Sequence, residues 1–333
     1  MLTVTAQGLH CAPGDFHIDP WRAVDRAVIT HAHSDHAYPG SRAYLCARDG
    51  VELLRLRVGK DALITGLRHG ETVNLNGVTV SFHPAGHVLG SAQICIEHCG
   101  EVWVVSGDYK RQFDPTCAAF EPLRCHTFVT ESTFGLPVYR WPEPEQVFRE
   151  IDDWWLANQK HGRTSVLFGY SLGKAQRLLA GVDSALGPIF VHEAIRRFLP
   201  AYAAAGVKLP SVATATLENV VAERGKGLVI MPPAADDSEW LHGLGEVSTA
   251  FASGWMLFRS MRRRRNADRG FALSDHADWP GLIQTIRETG AARVLVTHGT
   301  TAPLVRWLSE NGWQAGALPT RSSGNVEEGP NPS

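Results

Sequence analysis

Between Thr30 and Tyr38 the chain reads THAHSDHAY, which places His31, His33, Asp35 and His36 within six positions. Imidazole and carboxylate at that density form a ligand set for a divalent ion of the zinc or manganese type. In extended backbone His31 and His33 point the same way, and a turn just after them brings Asp35 and His36 round to a second ion. The preceding Ala27-Val28-Ile29-Thr30 reads as a buried strand, so the cluster sits at a strand's carboxyl end, where α/β folds place their sites.

The rest of the chain repeats this device. A hairpin is expected where Thr72 to Leu75 and Val78 to Phe82 flank Asn76-Gly77, a type I′ turn signal, and it runs into His87. A second hairpin, Ala92 to Glu97 and Val102 to Ser106 around Cys99-Gly100, delivers Asp108. Apolar Thr127 to Thr130 leads to Glu131, Gly270 to Leu273 leads to His276, and Arg293 to Thr297 leads to His298. Repeated strands with polar exits predict a sheet sandwich whose strand ends converge on one site. The supply fits two metals. One ion takes His31, His33 and His87, the other Asp35, His36 and His298, with Asp108 bridging.

Length adds a second domain to this picture, since 333 residues exceed one average domain. From Trp141 the texture becomes helical: Glu145 to Lys160 is amphipathic, and Ser165 to Gly169 followed by Lys174 to Ala180 makes a βα unit. Pro188 to His192 and Gly227 to Met231 read as further parallel strands. The expected division is therefore 1–139 and 263–318 for the sandwich, 140–262 for an inserted α/β domain, and a disordered tail over 319–333.

Bulk charge decides little: 32 basic against 34 acidic residues leave a net charge of -2, so any nucleic-acid surface is a local patch. The arginines Arg259, Arg262, Arg263, Arg264 and Arg265 are such a patch, either a solvated face or a phosphate track. Six cysteines within the first 125 residues, no secretory leader and no apolar run long enough for a membrane helix lead us to expect a reduced cytoplasmic setting. Cys95-x3-Cys99 is a weak alternative metal pair, because Cys95 lies in an alternating strand and Cys99 beside a glycine turn.

These residues also resemble a family. HAHSDH, His87 in GHVLGS, Asp108 in SGDY and the early Asp19 resemble the metallo-β-lactamase fold, while Glu131 in ESTFG, His276 in SDHAD and His298 in THG resemble the further motifs of its β-CASP nuclease branch. The longer phrases FHIDPWRAVDRAVITHAHSDHA, FGYSLGKAQRLLAG, STAFASGWM and RGFALSDHADWPGL are similar to bacterial exonucleases associated with DNA ligase and helicase repair clusters. The resemblance implies an αββα sandwich with an inserted β-CASP domain, two divalent ions (zinc, with manganese as substitute), and DNA exonuclease activity in repair. A ligase and a helicase of the same pathway are the implied partners. It further implies that Asp19 orients a ligand histidine, that Glu131 and His276 form an acid pair at the leaving oxygen, and that Ser253 and Gly254 touch substrate; Lys110 and Tyr109, beside Asp108, are either phosphate contacts or surface residues. One feature pulls the other way: His298 stands where RNA-processing members carry histidine and eukaryotic DNA-specific members carry valine, so an RNA-cutting enzyme is the alternative. A small-ester hydrolase and a non-catalytic binding subunit are the remaining readings; the insertion and Glu131 with His276 argue against the first, and the complete ligand set against the second.

Overall fold

Alternation along two hairpins builds four antiparallel strands of one sheet. In the computed structural model, which describes residues 1–235, 238–264 and 267–319, the chain divides into two compact units, Met1–Arg140 with the described residues from His276 to Pro319, and Trp141–Asp275.

The first unit carries two sheets. In one, β1 (Leu2–Thr5), β2 (Gly8–Cys11), β3 (Phe16–Ile18), β4 (Arg26–Val28), β5 (Ala43–Ala47) and β6 (Ile64–Leu67) lie side by side in chain order, antiparallel as far as β3 and parallel after it. The other begins with the antiparallel strands β7 (Thr72–Leu75), β8 (Val78–Pro84), β9 (Ala92–His98) and β10 (Glu101–Val105), then adds β11 (Thr127–Thr130) parallel to β10. Both hairpin turns hold positive φ at consecutive residues, Asn76 and Gly77 in one, Cys99 and Gly100 in the other, as a type I′ turn requires.

The inserted unit has a parallel sheet of its own. Its strands are β12 (Thr164–Phe168), β13 (Ile189–Val191), β14 (Ala213–Thr214), β15 (Leu228–Met231), β16 (Val247–Ala252) and β17 (Arg269–Phe271), in the spatial order β14-β13-β15-β12-β16-β17. Its strands read as continuous apolar runs because both faces are covered. Leu167, Ile189 and Ile230 pack with Val147, Ile151 and Trp155 of the helix Pro144–Lys160, while Val166, Phe168 and Val229 pack on the opposite face with Val220 and Met256. The chain then returns to the first unit, where β18 (Arg293–Val296) pairs with β11 and β19 (Gln314–Ala317) closes the edge.

Side chains alternate between the two faces of the second sheet as period-two geometry dictates. Ile94, Ile96, Trp103 and Val105 enter the core shared with Phe16, Ile18 and Val28 of the first sheet, whereas Cys95, Val104 and Phe128 face Leu282, Ile286 and Leu304 on the helices Trp279–Thr289 and Thr301–Glu310. On the first sheet the helix α1 (Val51–Val58) lies close over β6, where a Cβ on Gly66 would come within 2.5 Å of Val51. The result is a sandwich with outer helices and an inserted α/β unit, the mixed α/β architecture that the sequence implies.

One element falls differently from the sequence reading. Return to the sandwich after residue 262 would put Arg269–Phe271 there, yet β17 pairs parallel with β16 in the inserted sheet. Burial explains it: Phe271 and Leu273 belong to the inserted unit's core, with Phe271 edge-on to Trp154 at 5.7 Å. The tail expected over 319–333 lies outside the described residues from position 320 on.

Candidate metal centre

Four of the sandwich's strand exits supply the cluster. After β4 the backbone donates from Ile29 to Leu45 and then turns: the carbonyl of His33 accepts from the amides of His36 (3.2 Å) and Ala37 (2.9 Å), which folds Asp35 and His36 back beside His31. His87 follows β8, Asp108 follows β10, and His298 follows β18.

These side chains converge through their ring nitrogens. His31 Nε2 and His87 Nε2 each stand 3.1 Å from His33 Nδ1, and Asp108 Oδ2 lies 3.5 Å from the first and 3.9 Å from the second. The four residues are buried and their atoms form a group able to hold an ion. The same Asp108 oxygen lies 3.4 Å from His36 Nε2, which Asp35 approaches at 3.7 Å, and the His36 ring stacks on His298 with centroids 4.9 Å apart. Asp108 thus faces both groups of histidines.

A metal fits this arrangement on two observations. Donors about 2.0 to 2.1 Å from a tetrahedral ion lie roughly 3.3 Å apart, close to the ring separations here. His36 Nε2 is buried and has no hydrogen-bond partner among the described residues, an arrangement that costs free energy unless something fills its lone pair. Electrostatics agree. Burial, then the neighbouring His36 and His33 rings, push the His31 pKa well below the usual histidine range, and burial with His36 lowers His298. Burial also opposes charge on His36, but the carboxylates of Asp108, Asp35 and Asp19 prevail and raise it. Burial alone would raise Asp108, yet His36 and His276 beside it hold its carboxyl well below the usual range. His31 and His298, held neutral beside the ionised Asp108, are therefore in ligand form, whereas His36 is held as the cation and gives up its Nε2 proton when an ion binds.

The supporting residues set this geometry. Asp19, at φ 42°, accepts from the Thr30 amide (2.8 Å), the Thr30 hydroxyl (2.6 Å) and the Nδ1–H of His36 (2.8 Å). Thr30 Oγ1 in turn lies 3.0 Å from His31 Nδ1. With protons on both Nδ1 atoms, an assignment made from this network, His31 and, with an ion bound, His36 turn bare Nε2 atoms inward. Gly107 is required by the same contact, since at φ 57° a Cβ would lie 2.6 Å from Thr30. Thr30 and Gly107 were not among the sequence candidates; their only signal is adjacency to HAHSDH and to Asp108.

Beside the cluster Glu131 and His276 pair closely. His276 Nδ1 is 2.9 Å from Glu131 Oε2 and 3.1 Å from Oε1, and Oε1 also accepts the Tyr109 amide at 2.8 Å. The His276 ring lies 4.7 Å from that of His87, and Asp108, Glu131 and His276 form a second convergent group. Ser132, next to Glu131, donates to the carbonyls of Thr297 and His298. It thereby holds His298 in left-handed backbone at φ 52°, a role the sequence did not suggest.

The remaining candidates lie within their own units. Lys110, a candidate for either a phosphate contact or a surface position, is 1% exposed and paired to Asp114 at 2.6 Å; Tyr109 is equally buried. Ser253 and Gly254 begin a turn after β16 in the inserted unit, where Ser253 Oγ accepts from the Trp255 amide at 3.3 Å. Arg259 begins a short helix, Arg259–Arg264, and is exposed; Arg265 lies outside the described residues, as do the side chains of Arg262, Arg263 and Arg264. Cys95 is buried with its thiol pushed up to about 11, and no metal group among the described residues contains a cysteine.

No family model matches the sequence. Among curated proteins it is 30% identical over 316 residues to a probable DNA ligase of Opitutus terrae, covering 94% of this chain and 30% of that protein. It is 32% identical over 194 residues to cleavage and polyadenylation specificity factor subunit 3 of Dictyostelium discoideum, covering 48% of this chain and 25% of that one. An RNase J-like protein of Methanocaldococcus jannaschii is 24% identical over 187 residues, 49% of this chain and 44% of its own. The chain therefore spans less than half of each of these relatives. Among solved structures, a protein of unknown function from Enterococcus faecalis shares the fold, with a TM-score of 0.61 at 12% identity over 90% of this chain and 80% of that one.

Proposed function

We propose that the chain is a member of the β-CASP metallo-β-lactamase family and a two-metal phosphodiesterase acting as a DNA exonuclease in DNA repair. The observation that carries the reading is one carboxylate, Asp108, facing two groups of imidazoles, all buried but the half-buried His298, with the Glu131–His276 pair alongside. His31, His33 and His87 would hold one ion, and Asp35, His36 and His298 the other. Bound divalent ions, zinc or manganese, supply Lewis-acid charge that activates water and offsets charge on a phosphoryl group. Asp19 keeps the Nδ1 protons of the ligand rings engaged on the side away from the ions. His276, its ring N–H held by Glu131, is positioned to give a proton to the departing oxygen.

The DNA reading rests on the Opitutus terrae relative, a probable DNA ligase whose match runs along nearly the whole chain. A DNA ligase and a helicase of the same repair pathway, in the cytoplasm, are the partners this reading implies. RNA is the second reading, favoured by His298 and by the Saccharomyces cerevisiae endoribonuclease, 32% identical over 115 residues. End-labelled single- and double-stranded DNA and RNA, offered with zinc and manganese separately, test the proposal. Release of mononucleotides from DNA ends supports it, and internal cuts confined to RNA overturn it.

A further inference from the structure

The Asp108-Tyr109-Lys110 tripeptide does more than deliver a carboxylate. Its three residues reach three parts of the site: Asp108 enters the cluster, the Tyr109 amide donates to Glu131, and Lys110 turns to the loop bearing His87. The Lys110 ammonium, fully buried, donates to the His87 carbonyl at 3.3 Å while pairing with Asp114 at 2.6 Å. Its amide donates to the Ala85 carbonyl at 3.1 Å, and its own carbonyl presses on Gly86, where a Cβ would come within 2.4 Å. Asp114 is fixed in turn by the Thr116 amide (2.9 Å) and hydroxyl (2.6 Å). On the other side of His87 its amide donates to Ser91 Oγ at 3.0 Å.

Both peptide groups of His87 are thereby tied down, one to Ser91 and one to Lys110. We infer that Lys110, with Asp114 behind it, is a positioning residue that aims His87 Nε2 at the cluster and so sets the affinity of the first ion. A buried ammonium carries a desolvation cost that its pairing with Asp114 offsets, so an uncharged residue could fill the same space. What an apolar replacement lacks is the directional donor to the His87 carbonyl. Partners that orient a ligand histidine govern affinity in this way at metal centres generally. The inference rests on the proposed metal centre but not on the nature of the substrate.

The test compares ion affinity, by chelator competition with zinc alone, in the full chain and in two double variants, Lys110→Met with Asp114→Asn and Lys110→Gln with Asp114→Asn. Neither leaves a buried charge unpaired. The Met variant is expected to bind the first ion about 10- to 100-fold more weakly, and the Gln variant, which restores a donor, to recover much of that loss. KM for nucleic acid at saturating metal should stay at the parent value in both. Equal affinity in parent and Met variant overturns the inference, as does equal loss in Met and Gln variants, which would mean packing alone. A raised KM with unaltered ion affinity overturns it in favour of a phosphate contact. Should the Met variant fail to fold, the Gln variant decides: affinity within about threefold of the parent supports the role and a loss above about tenfold overturns it. A chain that binds ions yet cuts no nucleic acid would overturn the proposed function and leave this inference standing.

Discussion

Each of the two units buries a cluster of charged side chains, and the clusters differ in whether they are complete. In the inserted unit Lys174 and Arg177, one turn apart on the helix Lys174–Gly181, meet Asp275 at 3.0 and 3.2 Å, and Lys174 also donates to the Leu273 carbonyl at 2.6 Å. Each cation there meets a carboxylate. In the sandwich the ring nitrogens of His31, His33 and His87 face one another, and His36 Nε2 faces Asp108 across 3.4 Å with no hydrogen bond among the described residues. Closed pairing is how a fold accommodates buried charge for its own stability, whereas converging acceptors stabilise nothing until an ion joins them. The contrast predicts that equivalent substitutions fail in different ways in the two places.

The sharpest break is Asp108→Ala. The variant should remain folded, since the sandwich core is apolar and lies between the sheets, yet lose ion binding and hydrolysis together. Elemental analysis and nuclease assays on the purified variant check this, and activity within about tenfold of the parent would remove Asp108 from its shared place. In the inserted unit Asp275→Asn strikes the closed cluster, leaving two buried cations against a neutral amide. It should cost about 3 to 5 kcal/mol of stability, read as a lower midpoint in denaturant. An unchanged midpoint would mean that the cluster is not a closed structural pair, and the comparison would collapse.

Within the sandwich the same logic separates two histidines. His276→Ala removes a ring bonded to Glu131, so the ions should stay while the rate falls about 10² to 10⁴-fold, the scale of a lost general acid. His298→Ala removes a ring stacked on His36 and should instead release metal. Side-by-side metal counts decide it, and equal loss in both would cancel the division of roles.

How much of this was legible follows from the range of the interactions. HAHSDH announces its geometry because the turn is local, closed by His33 carbonyl bonds to His36 and Ala37. The strand-exit positions of His87, Asp108 and His298 were legible because alternation and turn signals locate strand exits without knowing which strands pair. Pairing is what the sequence did not reveal: Arg269–Phe271 reads as a strand in either unit, and only the packing of Phe271 against Trp154 assigns it. The surroundings of Lys110 were hidden for a related reason. A lysine beside a ligand aspartate suggests a phosphate contact, and its burial depends on Asp114 and on the His87 loop some twenty residues earlier in the chain. Thr30, Gly107 and Ser132 carry no motif, since their roles consist of contacts made across the site.

The arginine run offers a third kind of charge, neither closed nor awaiting an ion, and the smallest effect. Arg259 is exposed, and four more arginines follow within six residues. If the run tracks phosphates, replacing Arg262 to Arg265 by Ala should raise KM for long DNA severalfold and flatten its salt dependence, each lost contact reducing the slope of log affinity against log salt by about 0.7 to 0.9. kcat on a short oligonucleotide should hold, because contacts away from the reacting phosphate bind ground and transition states alike. The measurement is KM for long and short DNA across a salt series. Unaltered constants in both would make the run a solvated face, and a lower kcat with unaltered KM would mean that the arginines support the fold around the site. Either result would leave the sandwich's open cluster as the sole charge in this comparison that acts on substrate.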